Sequence, residues 1–193
     1  MKAYYFAAND KKLRHGDNRK IRVGITHKIK GTPVLCEHGL HASERLIDAL
    51  KYAPGHMLYV VQLGGEIVKG EDKVVAQERT YVSFLNAKEL LREFARKQAL
   101  INIKKIKPYT TEEDYAIIIK WLKTGDKKYQ IAARSAAAAA AWSAADSAAE
   151  SAAESAAHSA ARSAADSAAR LAARSAADKM LTKMVKEATG WMI

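Results

Sequence analysis

The sequence predicts an α+β fold, a small mixed head domain followed by an all-α, alanine-rich helical tail. Three observations predict it. Short apolar runs bounded by Gly, Pro, Asn and Asp recur through the N-terminal half, as strands and turns require. Two later segments place apolar residues at three- and four-residue spacing, the period of a half-buried helix. From Ile131 to Asp178 the chain beats Ser-Ala-Ala-X, with 26 Ala in 48 residues and neither Gly nor Pro. Ala loses no side-chain entropy on ordering and is the strongest helix former. The boundaries read 1–107 for the head, 108–130 for a connecting helix and 131–193 for the tail.

In order, Ala3 to Ala8 is an aromatic-rich strand that turns at Asn9-Asp10, and Leu13 to Asn18 holds a second turn. Ile21 to Thr26 reads as a strand bent at Gly24, and Val34-Leu35-Cys36 as a strand started at its edge by Pro33. Gly39 to Ser43 reads as a turn in which Ser43 caps a helix over Glu44 to Ala53, stopped by Pro54-Gly55. Met57 to Leu63 is a strong strand, punctuated by Gly64-Gly65 and resumed to Val68. The chain turns at Gly70 to Asp72 and returns over Lys73 to Ala76. Asn86 with Glu89 opens a helix with Leu90, Leu91 and Phe94 inward, and Ile101 to Ile103 is a last short strand. Thr111 with Asp114 starts a third helix, which Gly125 closes. In the tail, a four-residue period advances each X residue by about 40° per repeat, so no single face of a straight helix stays charged. Arg162 pairs with Asp166 at i,i+4 spacing, and an antiparallel self-pairing centred on His158 would match Asp146 with Arg170 and Glu154 with Arg162, while setting Glu150 against Asp166. Trp142, Asp146, Glu154, His158, Arg162 and Arg170 are the candidate self-association residues.

Cys36 is the only cysteine, so no intrachain disulfide forms, which fits a reducing compartment. Neither a signal peptide nor a run of about 18 strongly apolar residues stands out, so no membrane partner and a cytoplasmic location are expected. The net charge is +11, and residues 1–35 carry nine Lys or Arg against two Asp. Lys11, Lys12, Arg14, Arg19, Lys20 and Arg22 therefore form the candidate anion-binding set, with nucleic acid or a nucleotide as the natural partner.

Cys36, His38, His41 and Ser43 cluster within eight residues. Their Cys-x-His-x-x-His spacing gives three tightly packed ligands and no evident fourth, so no metal and no cofactor are expected. His41, Ser43 and Arg79 are the weak candidates for a catalytic role. The plainer readings are a backbone-bonded His41, a helix-capping Ser43 and a small apolar Cys36.

The chain resembles an N-terminal domain of uncharacterised bacteriophage and prophage proteins over roughly its first 85 residues. The resemblance rests on Leu13 to Asp17, Gly24, Cys36, Gly39 to Ser43, Asp48 to Leu50 and Tyr52 to Gly55. It continues through Leu63 to Ile67 and Asp72 to Ala76, and Ser-Ala-Ala-X tails are similar to those attached to members of that family. It implies a phage-type setting, the host cytoplasm, and little chemistry. A looser likeness is to ADP-ribosyltransferases, through Gly39 to Ser43, Ala49 to Ala53 and Leu58 to Leu63, with Glu78 or Arg79 lining a nucleotide site. Two functions are therefore expected. The first is a non-enzymatic accessory protein that self-associates through its tail and binds a polyanion or a host protein through its head. The second is a nucleotide-handling enzyme of ADP-ribosyltransferase-like shape.

Overall fold

The computed structural model describes residues 1–152 and 159–191, with side chains described for 1–140 and 172–191. Five strands form one antiparallel sheet: β1 (Lys2–Ala7), β2 (Thr26–Lys28), β3 (Leu40–Ala42), β4 (Met57–Lys69) and β5 (Val74–Asn86). The helices are α1 (Leu46–Lys51), α2 (Lys88–Asn102), α3 (Glu112–Thr124), α4 (Lys127–Ala152) and α5 (Ser159–Thr189), with a 3-10 helix at Ile103–Tyr109. The chain divides into two compact units, Met1–Leu91 with Ala176–Ile193, and Arg92–Ser175. The sheet lies in the unit made of Met1–Leu91 and Ala176–Ile193.

The first unit is built on the long β4–β5 hairpin, closed by a Gly70 N–H to Lys73 carbonyl bond of 2.8 Å. β1 lies along β4, with Tyr5 opposite Tyr59, while β2 and β3 share the other edge of β5, with His27 opposite Arg79 and His41 opposite Val75. Strand alternation sends Ala3, Ala7, Met57, Tyr59, Val61 and Leu63 to one face, where Leu13 and Ile21 cover them. Phe6, Leu58 and Val60 point the other way and are also buried. In the same unit α1 lies against β1 and buries Leu46 and Ala49, and the last turns of α5 bury Leu181, Met184 and Val185. Fully burying a side chain such as Leu181 stabilises by about 2 kcal/mol.

Asp178 ties the chain end to α1. Its Oδ1 accepts from the Ile47 N–H at 3.0 Å, and its Oδ2 lies 3.5 Å from Arg45 Nε. The helix's own N-cap, Arg45, makes no side-chain cap bond. A carboxylate more than a hundred residues away therefore satisfies one of the orphan N–H groups of the first turn.

Five local expectations are corrected. Ser43 is no helix cap. Its backbone exchanges hydrogen bonds with Tyr4 at 2.7 and 2.9 Å, which pins it to the sheet, and α1 starts at Leu46 rather than Glu44. Leu40 to Ala42 is a strand rather than part of a turn, because β5 extends far enough to pair it. Val34 to Cys36 is a turn, closed by paired Val34–His38 backbone bonds and a positive φ of 68° at Cys36. The strand expected over Ile21 to Thr26 begins only at Thr26, since Gly24 takes φ +86° and donates its N–H to the Tyr81 carbonyl at 2.8 Å. Ile101 to Ile103 is likewise helical.

In the second unit, Thr111 caps α3 by accepting from the Asp114 N–H at 3.1 Å, and Gly125 ends it in the left-handed region at φ +69°. α3 packs on α4, burying Ile118, Leu122, Ala133 and Ala136, with Leu100, Ile103, Ile106 and Trp121 around them. The small Ala side chains let the helix backbones approach closely. Helical backbone runs over Lys127–Ala152 and Ser159–Thr189, and side chains are described within α5 from residue 172. The self-association set Trp142, Asp146, Glu154, His158, Arg162 and Arg170 lies outside the residues whose side chains are described. Among the described residues no helix is long and apolar enough to cross a membrane.

Candidate functional site

The segment between β1 and β2 is shaped by its own backbone. The Lys11 N–H bonds to the Ala8 carbonyl at 2.9 Å, with Lys11 at φ +54°, and the Ile21 N–H returns to the Lys11 carbonyl at 2.7 Å. Lys12 and Lys20 form a β-bridge, and the Leu13 N–H meets the Arg19 carbonyl at 3.0 Å. Leu13 and Ile21 anchor this excursion in the core. The basic residues between those anchors are thus held on a fixed backbone.

Three of the six candidate anion-binding residues, Lys11, Lys20 and Arg22, line one open groove of about 470 Å³. Asp10, Ile21, Val23, Tyr59 and Phe84 complete its walls. Lys11 Nζ stands 4.3 Å from the centre of the Phe84 ring, a cation–π contact. Phe84 leans on Tyr59 at 5.0 Å between centroids, and Tyr59 meets Tyr81 edge-on at 5.4 Å. Val23 is 52% exposed beside the cations. The remaining candidates are placed differently. Arg19 is bidentate with Asp17, at 2.9 Å from Nε and 2.6 Å from Nη2, and donates through Nη1 to the Lys28 carbonyl at 3.0 Å. That pairing holds the Asp17 carboxyl below its usual pKa. Arg14 lies 3.5 Å from Asp10, and neither Arg14 nor Lys12 lines the groove.

Beneath the groove runs a buried polar chain. Arg79, 2% exposed, donates through Nε and Nη2 to the Tyr81 hydroxyl at 3.1 and 2.8 Å, and through Nη1 to the His41 carbonyl. Its guanidinium also lies 3.7 Å from the centre of the Tyr5 ring. Among the described residues no carboxylate pairs with it, so neutral dipoles and two π faces compensate this buried charge. With both Arg79 nitrogens aimed at its oxygen, Tyr81 turns its proton to His27 Nδ1, 3.0 Å away. Burial lowers the His27 pKa, helped by the Arg19 and Arg79 charges, and burial raises that of Tyr81.

The candidate catalytic residues meet only in part. Arg79 reaches the backbone of His41, while Ser43 is buried and engaged with Tyr4 through its main chain. The His41 ring accepts the Cys36 N–H on Nε2 at 3.0 Å, and burial lowers its pKa. His38 donates through Nε2 to the Lys30 carbonyl at 2.8 Å. Cys36 is exposed beside Lys73, whose amine pKa it helps to raise. Among the described residues no three His, Cys, Asp or Glu side chains gather around a metal-sized point.

Tyr81, His27, Phe84 and Tyr59 are the participants that sequence reasoning missed. The readable signal was weak, Arg79 and Tyr81 two residues apart in the mixed polar and apolar stretch that follows Ala76. Fold and site together define a basic α+β head, an antiparallel sheet carrying a cationic groove with an aromatic wall. Residues 1–93 match the family described as "Domain of unknown function (DUF7666)". No curated protein and no solved structure matches the chain.

Proposed function

We propose that the protein is a phage-type accessory protein whose head binds a polyanion, nucleic acid or nucleotide, and whose alanine-rich helices self-associate. The observation that carries the reading is that Lys11, Lys20 and Arg22 share one groove with the Phe84 ring in its wall. Clustered cations on a low-dielectric wall concentrate anions, and phosphate is the anion that cationic clusters most often serve. The reading is of a binding protein rather than an enzyme, because the buried Arg79 guanidinium is turned to internal acceptors, the Tyr81 hydroxyl and the His41 carbonyl.

Fluorescence anisotropy of labelled nucleic acid on the full-length chain, across a salt series, tests the head. Binding that weakens steeply with salt and is lost in a Lys20→Glu, Arg22→Glu variant supports the reading, and no binding even at low salt removes it. Light scattering tests the tail, where a monomeric mass at every concentration removes self-association.

A further inference from the structure

We propose that the groove is a single-nucleotide subsite for single-stranded nucleic acid, holding one base against the Phe84 and Val23 wall and its phosphate against Lys20 and Arg22. This deepens the polyanion reading and rests on it.

The walls argue for a base as well as a phosphate. A surface meant only for phosphate needs cations, yet this one sets Ile21, Val23, Tyr59 and Phe84 among them. Aromatic and aliphatic faces beside Lys and Arg are what unstacked bases require, because every base offers a π face whatever its sequence. The ring is also held in place, since Phe84 rests on Tyr59 and Tyr59 on Tyr81, so it needs little ordering on binding. Lys11 covers the ring, and its long flexible stem lets the ammonium move aside to a phosphate oxygen.

Size and charge argue for a single strand. A space of about 470 Å³ lies within the usual range for small-ligand sites and admits one nucleotide rather than a duplex. In a duplex the base faces are stacked and cannot reach Phe84 without being extruded. Asp10, although 3.5 Å from Arg14, places a carboxylate in the wall that disfavours a densely charged partner with no base to offer.

The test compares three probes on the full-length chain by fluorescence anisotropy at one salt concentration: a labelled single-stranded oligonucleotide, the same sequence as a duplex, and heparin as a polyanion without bases. Single-strand binding should exceed the other two by about tenfold or more, the equivalent of one base stacked on an aromatic ring. Phe84→Leu, chosen to keep an apolar side chain while removing the ring and checked for folding by circular dichroism, should erase that preference while leaving heparin binding intact. Lys20→Gln with Arg22→Gln should weaken all three. Equal affinity for the three probes, or a Phe84→Leu chain that keeps its preference, overturns the subsite while leaving the polyanion reading standing. Failure of every probe at low salt overturns both, as does tighter binding of an acidic peptide than of any nucleic acid.

Discussion

Tyr81 is the donor to His27. Arg79 Nε and Nη2 approach the phenol oxygen at 3.1 and 2.8 Å, so its proton is left for His27 Nδ1 at 3.0 Å. Because that nitrogen must accept, the imidazole is neutral in the folded chain. Facing it are the charges of Arg19 and Arg79, which disfavour its protonation, and that of Asp17, which favours it more weakly.

The pH dependence of stability follows. The folded-state pKa of His27 lies below the ordinary 6.5, and that of His41 is lowered in the same direction. In the unfolded chain both titrate near their usual value. As the pH falls through about 6.5, the unfolded chain takes up protons that the folded chain refuses, and stability drops. Thermal unfolding followed from about pH 7.5 down to about pH 5.5 should show a falling midpoint, with a shallower fall in His27→Gln. A midpoint flat across that window in the parent chain would count against the neutral, buried imidazole.

Removing the phenol oxygen tests the buried polar chain of Arg79, Tyr81 and His27. Tyr81→Phe leaves two Arg79 donors and one His27 acceptor without their partner in a buried setting. Each group so stranded costs about 1–3 kcal/mol, and urea unfolding should register a loss in that range or above it. Adding Arg79→Met should cost less than the sum of the two single changes, because the second removes the charge that the first strands. Strict additivity would show that the two residues are not coupled.

Asp178→Ala should destabilise by about 1 kcal/mol, the usual worth of a helix N-cap, since α1 has no side-chain cap of its own. Asp178→Asn keeps an acceptor for Ile47 and gives up only the exposed pairing with Arg45, so it should retain most of the stability. Equal losses in both would assign the effect to charge instead of capping. Denaturant midpoints at matched pH decide between them.

Two glycines separate backbone strain from crowding. Gly39 combines φ +129° with a Val75 methyl 2.4 Å from where a Cβ would stand, whereas Gly24 has φ +86° and open space. Gly24→Ala should therefore cost about 1–2 kcal/mol from the left-handed backbone alone. Gly39→Ala adds a clash, and should cost about 3 kcal/mol or more. A Gly39→Ala chain as stable as Gly24→Ala would contradict the close approach of Val75.

In the groove, charge removal should be visible in the salt dependence as well as in affinity. Lys20→Gln and Arg22→Gln should each lower the slope of log K against log salt for a single strand by about 0.7. Arg19→Gln should leave the slope nearly unchanged, because its guanidinium already faces Asp17. A slope change at Arg19 as large as at Lys20 would place the phosphate elsewhere.

Elements marked by local chemistry were legible in the sequence. Thr111, Gly125 and Gly190 announce helix ends through caps and left-handed turns, and Met57 to Leu63 and Val74 to Ala76 announce the first parts of β4 and β5 through apolar, β-branched runs, while β5 from Gln77 to Asn86 carries no such run. Leu40 to Ala42 was not, because three residues become a strand only when β5 reaches out to pair them. Half of the groove was legible for a similar reason. Charge density names Lys11, Lys20 and Arg22, while Phe84 joins them only through a sheet register that puts distant segments side by side. Asp178 was invisible in the same way, since nothing near it in sequence reveals that it serves Ile47.

That last contact bears on how the protein is made. Synthesis runs from the first residue to the last, so the strands, the basic groove and α1 all leave the ribosome before Asp178, Leu181 and Val185 exist. Throughout that interval α1 lacks its cap, and the apolar surface that those residues cover is open. A nascent or prematurely ended chain therefore presents a recognisable, incomplete head, and a stop codon anywhere within the alanine repeats should yield a product that chaperones and proteases detect.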